Sequence, residues 1–85
     1  MESVIPKMDA VQYDGTNGRF IAEEFLSGTT LGSDDGQLLQ LIDGQQDPQI
    51  YLGDWVIRRT APGGRFLYAG GFTDADYRAM YTVLS

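Results

Sequence analysis

Carboxylates are the side chains in this sequence with the widest chemical reach, because it holds 12 Asp and Glu but no His and no Cys. Without imidazole or thiol there is no Ser-His-Asp arrangement, no thiolate nucleophile and none of the usual zinc sites, so acid–base work would fall to Asp and Glu. The pair Asp34-Asp35, set between Gly32 and Gly36, is the densest acidic spot. A flexible acidic loop of that kind could hold Ca²⁺, yet the EF-hand spacing with its terminal Glu is missing, and a solvated loop is the preferred reading. Asp54, between Gly53 and Trp55, reads as a short acid bonding nearby backbone amides to hold a bend. Gly70-Gly71-Phe72-Thr73 precedes a helical pattern as an anion-binding loop does, but it has neither a P-loop Lys nor G-x-G-x-x-G, and Asp74 and Asp76 already use the positive end. Lys7 is the sole lysine, and Ser27, Ser33 and Ser85 have no evident base beside them. These residues predict no catalytic site, no cofactor and no metal.

Any site must be carried by one small domain spanning residues 1–85, which has little core to spare. Hydrophobic residues make up 42% and charged residues 21%, ordinary globular usage that predicts a folded chain. Dense packing of its ten aromatics or self-association must replace disulfide staples. The net charge of −6 repels phosphate backbones and argues against nucleic acid as a partner. Residues 1–44 hold eight acids against two bases, while residues 45–85 balance four against four. No apolar stretch near Met1 reads as a signal peptide and none reads as a membrane span, so the expected setting is cytoplasmic.

Val4 to Tyr13 reads as a first strand with Pro6 near its start. Asp14-Gly15 turns the chain, and Thr16-Asn17 caps a helix over roughly 17–27 that buries Phe20, Ile21, Ala22, Phe25 and Leu26, leaves Glu23 and Glu24 in solvent and stops at Gly28. Gly28 to Gly36 is a loop by composition. Gln37 to Ile42 forms a strand, Asp43-Gly44 a turn, Ile50 to Leu52 a brief extended piece, and Trp55 to Arg59 a strand rich in β-formers. Pro62-Gly63 suits the centre of a type II turn and returns the chain into Arg65 to Ala69. Thr73 caps a second helix from about 74 to the end, with Phe72 and Tyr77 at staple spacing and a stripe of Tyr77, Met80, Tyr81 and Leu84.

These elements predict an α+β fold, a mostly antiparallel sheet of about four strands with two helices packed on one face. If Pro62-Gly63 is a two-residue loop, Arg59 faces Phe66, Ile57 faces Tyr68, and the hairpin has two faces. Trp55, Ile57, Phe66 and Tyr68 would pack on the helices. Val56, Arg58, Arg65 and Leu67 would lie on the open face, a mixture suited to a partner or ligand surface. A type II turn fits hairpin twist poorly, and a slip of one residue would exchange the faces.

Ala10-Val11-Gln12-Tyr13-Asp14-Gly15, the helix ending in Glu24-Phe25-Leu26, then Gly53-Asp54-Trp55-Val56-Ile57 and Gly64-Arg65-Phe66 followed by Phe72 and Tyr81 resemble a group of small phage and prophage proteins. Their pattern reads A-V-Q-[WY]-x-G, then G-D-W-[VI]-I, then a glycine before an aromatic strand. The resemblance spans nearly the whole chain, rests on short motifs, and brings no catalytic residues with it. Gly53 and Asp54 are read as making the bend, with Trp55 and Ile57 entering the core. The capped C-terminal helix departs from the shorter tail of that group.

The resemblance implies a phage accessory protein in the bacterial host cytoplasm, acting by binding. The expectation is a non-enzymatic module that self-associates and engages a host protein. The alternatives are a sponge in which Arg58, Arg59 and Arg65 hold a small anionic nucleotide, or a minor virion component.

Overall fold

A computed structural model describes residues 2, 7–43 and 47–81. Along the chain run β1 (Met8–Gln12), α1 (Gly18–Phe20) continuing into a π-helical turn (Ile21–Phe25), β2 (Thr30–Asp34), β3 (Leu38–Ile42), β4 (Gln49–Tyr51), β5 (Trp55–Thr60), β6 (Phe66–Phe72) and α2 (Asp74–Met80). The α+β class holds. The single four-stranded sheet does not, because the six strands form two antiparallel sheets ordered β1-β5-β6 and β2-β3-β4.

The strand missed by composition is β2. Its Gly, Ser and Asp residues have low strand propensity, but Thr30 pairs with Ile42 and Leu31 with Leu41, and a register shift between Leu31 and Ser33 absorbs Gly32. Pairing with β3 therefore overrides propensity. At the other end of the chain β1 starts at Met8; Val4 to Pro6 of the expected strand, like Gly44 of the expected turn and Leu84 of the expected stripe, lie outside the described residues.

The first helix is shorter than its apolar pattern predicts, and its last turn widens so that the Leu26 amide donates to the Ile21 carbonyl at 3.2 Å. That wide turn brings Ile21, Ala22, Phe25 and Leu26 inward together, while Glu23 and Glu24 stay in solvent and Phe20 is left 44% exposed. Tyr13, Leu39, Leu41, Ile50 and Val56 complete the core, with Val11, Leu31 and Tyr68 packed at its margin.

The β5–β6 hairpin turns where expected but in a different register. The Gly64 amide donates to the Ala61 carbonyl at 3.1 Å around Pro62-Gly63, with Gly63 at φ +87°, as a type II turn requires. Gly64 adds a second left-handed residue at φ +81°, and the strands close by an Ala61 amide to Arg65 carbonyl bond. This longer loop shifts the pairing by one, so Thr60 faces Phe66, Arg59 faces Leu67 and Arg58 faces Tyr68. A further shift between Ile57 and Arg58 sets Ile57 opposite Gly70 and Trp55 opposite Phe72. Val56, expected on the open face, is consequently fully buried in the core.

Both helices were expected on one face of the sheet; they lie on opposite faces of β5. The π turn meets the side of Val56 and Arg58, and α2 meets the other side, where Trp55 and Tyr77 stack with centroids 4.2 Å apart and planes 9° from parallel. Trp55 thus leaves the main core to pack under α2, and its indole N–H donates to Asp74 Oδ1 at 2.8 Å. Ile57 is buried at 2% exposure, outside the main cluster. Thr73 caps α2 as predicted, its hydroxyl accepting from the Asp76 amide at 3.2 Å. The helix stops at Met80, which is 56% exposed, and Tyr81 turns extended to pack against Tyr77 and Phe72. Among the described residues no helix is long and apolar enough to cross a membrane.

Candidate functional site

Three acids are occupied by backbone: Asp54, expected to hold a bend, and Asp34 and Asp35, expected to lie in a flexible acidic loop. Asp54 Oδ2 accepts from the Tyr51 amide at 3.1 Å, and Gly53, at φ +90°, donates its amide to the Tyr13 carbonyl. Asp35 Oδ1 accepts from the amides of Gln37 and Leu38, both at 2.8 Å; the Leu38 bond, then that of Gln37, holds its carboxyl below the usual range. Asp34 Oδ1 accepts from the Gly36 amide and from the Tyr13 hydroxyl. Burial, then that bond to Asp34, pushes the Tyr13 phenol up to about 12. The other Asp34 oxygen lies against Gly18, where a Cβ would collide with it. The acidic loop is therefore a joint between β2, β3 and the first helix, and among the described residues no three acids come together as a metal site.

The four residues predicted to share an open face are split. Val56 is inside the core. Arg58 is clamped: its guanidinium carbon sits 4.4 Å from the Phe25 ring centre and 3.9 Å from that of Phe66, Nη1 donates to the Phe25 carbonyl at 3.1 Å, and Nε pairs with Asp9 at 3.2 Å. Its cation pins the π turn to the hairpin and to β1, and all its directional contacts are internal. Arg65 and Leu67 stay together, but in a recess rather than on a flat face.

That recess has a volume of about 280 Å³ and opens between the hairpin tip and the chain leaving the π turn. Arg59, Arg65, Leu67 and Tyr68 form the hairpin wall; Ser27, Gly28 and Thr29 form the facing wall, and Asp43 stands on the rim. Ser27 fixes the geometry by donating its amide to the Phe66 carbonyl at 2.8 Å while its hydroxyl accepts from the Phe66 amide at 2.9 Å. Gly28, at φ +73°, lets the chain pass close under Arg65, whose Nη2 would stand 3.7 Å from a Cβ at that position. Burial, then the charges of Asp43 and Asp54, raise the Tyr68 phenol above its ordinary range. Sequence reasoning found Arg59 and Arg65 but missed Ser27 to Thr29, Asp43 and Tyr68, because three separate segments meet there and none carries a local motif.

A second surface lies on the outside of the β2-β3-β4 sheet. Thr30 and Ile42, Ser33 and Gln40, Gln40 and Gln49, Leu38 and Tyr51 are cross-strand neighbours there, and none is charged. Ile42 is 51% exposed and Tyr51 56%, with Leu52 next to them at 47%. Comparison with protein-family models, with curated proteins and with solved structures matches this chain to none of them.

Proposed function

We propose that this chain is a phage accessory protein that works in the host cytoplasm as a non-enzymatic binding module, self-associating through the outer face of the β2-β3-β4 sheet. The observation that carries the reading is that, among the described residues, the cross-strand neighbours on that face are all uncharged. The chain as a whole has 18 charged residues and a net charge of −6, all of it from residues 1–44, so two copies carry a net repulsion. The outer sheet face is where they can meet without opposing like charges. Its half-exposed Ile42 and Tyr51 gain from leaving water, and the amides of Gln40 and Gln49 can both donate and accept across a two-fold contact. A small domain with no disulfides gains stability from such association. The phage setting and a host-protein target rest on the resemblance of the A-V-Q-Y-D-G and G-D-W-V-I motifs.

Native mass spectrometry and sedimentation of the wild-type chain and of Ile42→Asp test the reading. The expected result is an oligomer that falls to monomer in the variant, since a carboxylate would be buried against its own copy. A wild-type chain that stays monomeric at every concentration sinks the self-association reading and leaves host-protein capture as the remaining form of the module.

A further inference from the structure

Of the five arginines, three are held by an acid: Arg19 by Glu23, Arg58 by Asp9 and Arg78 by Asp74. The remaining two, Arg59 and Arg65, have no carboxylate in ion-pair reach among the described residues, although acids outnumber bases two to one in this chain. Both line the recess at the hairpin tip. We infer that the recess is a binding site for a small molecule bearing one phosphate monoester and an attached ring, of mononucleotide size.

Arg59 and Arg65 both line this one concavity, and their guanidiniums carry forked donors matched to phosphate oxygens. They are placed by β5 and β6 on either side of a turn whose Pro62-Gly63-Gly64 geometry fixes their spacing. Tyr68 gives aromatic surface of the kind a sugar or base needs, Leu67 borders the recess beside it, and the Ser27 to Thr29 wall closes the other side. A volume of about 280 Å³ lies just below the usual range for small-molecule sites, so the recess admits a mononucleotide at most and not a dinucleotide. Asp43 adds a negative charge to the same rim. It favours a ligand whose anionic group lies on the arginine side alone and disfavours a polyphosphate spread across the opening. This site uses other residues than the sheet face, so either assignment can fail without the other.

The test is titration of the full chain with adenosine 5′-monophosphate, followed by amide and arginine side-chain NMR shifts and by calorimetry, with adenosine, inorganic phosphate and adenosine triphosphate as comparison probes. The expected result is saturable binding of the monophosphate with shifts at Gly28, Thr29, Arg59 and Arg65, weaker binding of the triphosphate, and none of adenosine. Arg59→Ala and Arg65→Ala, both at exposed positions, each weaken it about tenfold or more, the loss expected for one charged hydrogen-bonding group. Unchanged amide spectra away from the recess verify that the variants fold. No response to the monophosphate, equal binding of inorganic phosphate, or undiminished binding by both variants overturns the site. Oligomer size is read on the same samples, so a failure of the sheet-face reading shows separately.

Discussion

The two sheets solve the same packing problem in opposite ways. In the β1-β5-β6 sheet the central strand is covered on both faces, by the core on one and by α2 on the other, and β5 buries the adjacent residues Val56 and Ile57. The β2-β3-β4 sheet is covered on one face only, and β3 alternates strictly, with Leu39 and Leu41 buried and Gln40 and Ile42 exposed. Alternation is thus a readable sign of a strand with a free side, and its loss a sign of a strand with none. It places the surface available to a partner on the second sheet, and the fixed scaffold on the first.

The largest test of that difference compares neighbours. Leu41→Ala should cost about 2–5 kcal/mol by opening a cavity in the core, whereas Ile42→Ala, one residue on and outward, should stay within about 0.5 kcal/mol in the monomer. Urea denaturation at low protein concentration measures both, and similar costs would erase the distinction between the faces. The same comparison inside the first sheet pairs Arg58→Ala with Arg59→Ala. Loss of the Phe25 and Phe66 contacts and of the Asp9 partner should cost about 1–3 kcal/mol, against about 0.5 kcal/mol or less for Arg59. If Arg59 proves the costlier, the hairpin register is the one with Arg58 outward.

The smallest effect is alkaline. Tyr13 holds its proton to about pH 12 in the folded chain and to about 10 when unfolded. The unfolded state therefore ionises first, so this phenol's contribution is intact below pH 10 and is lost as pH rises through 10 to 12. Ultraviolet absorbance should show a late tyrosine phase near pH 12 from Tyr13, with Tyr68 also delayed. Tyr13→Phe removes the late phase; its absence from the wild-type chain would show that Tyr13 is neither buried nor bonded to Asp34 as described.

Short-range chemistry was legible in the sequence. The Gly53-Asp54 bend, the Thr73 cap and the Pro62-Gly63 turn each depend on residues within three or four positions, and each is formed. Features that depend on a partner strand were not. The hairpin register turned on whether Gly64 belonged to the loop, and β2 is a strand only because β3 lies beside it. That one-residue shift moved Val56 and Arg58 inward and left only Arg65 and Leu67 of the expected surface set at a cleft. The recess could not be read because Gly28, Asp43 and Tyr68 meet only after both sheets are built.

The ion pair between Asp9 and Arg58 joins residues 49 positions apart, and the pairing of β1 with β5 runs across the same interval. During synthesis β1 is made before β5 and has no β5 partner until the residues between them have followed. Closing that interval costs roughly 2 kcal/mol more chain entropy than closing a five-residue hairpin loop, so β1 docking should come late and set the folding rate. Until then the Met8–Gln12 strand has both edges open, which exposes it to mispairing for longer than strands whose partners lie close in sequence.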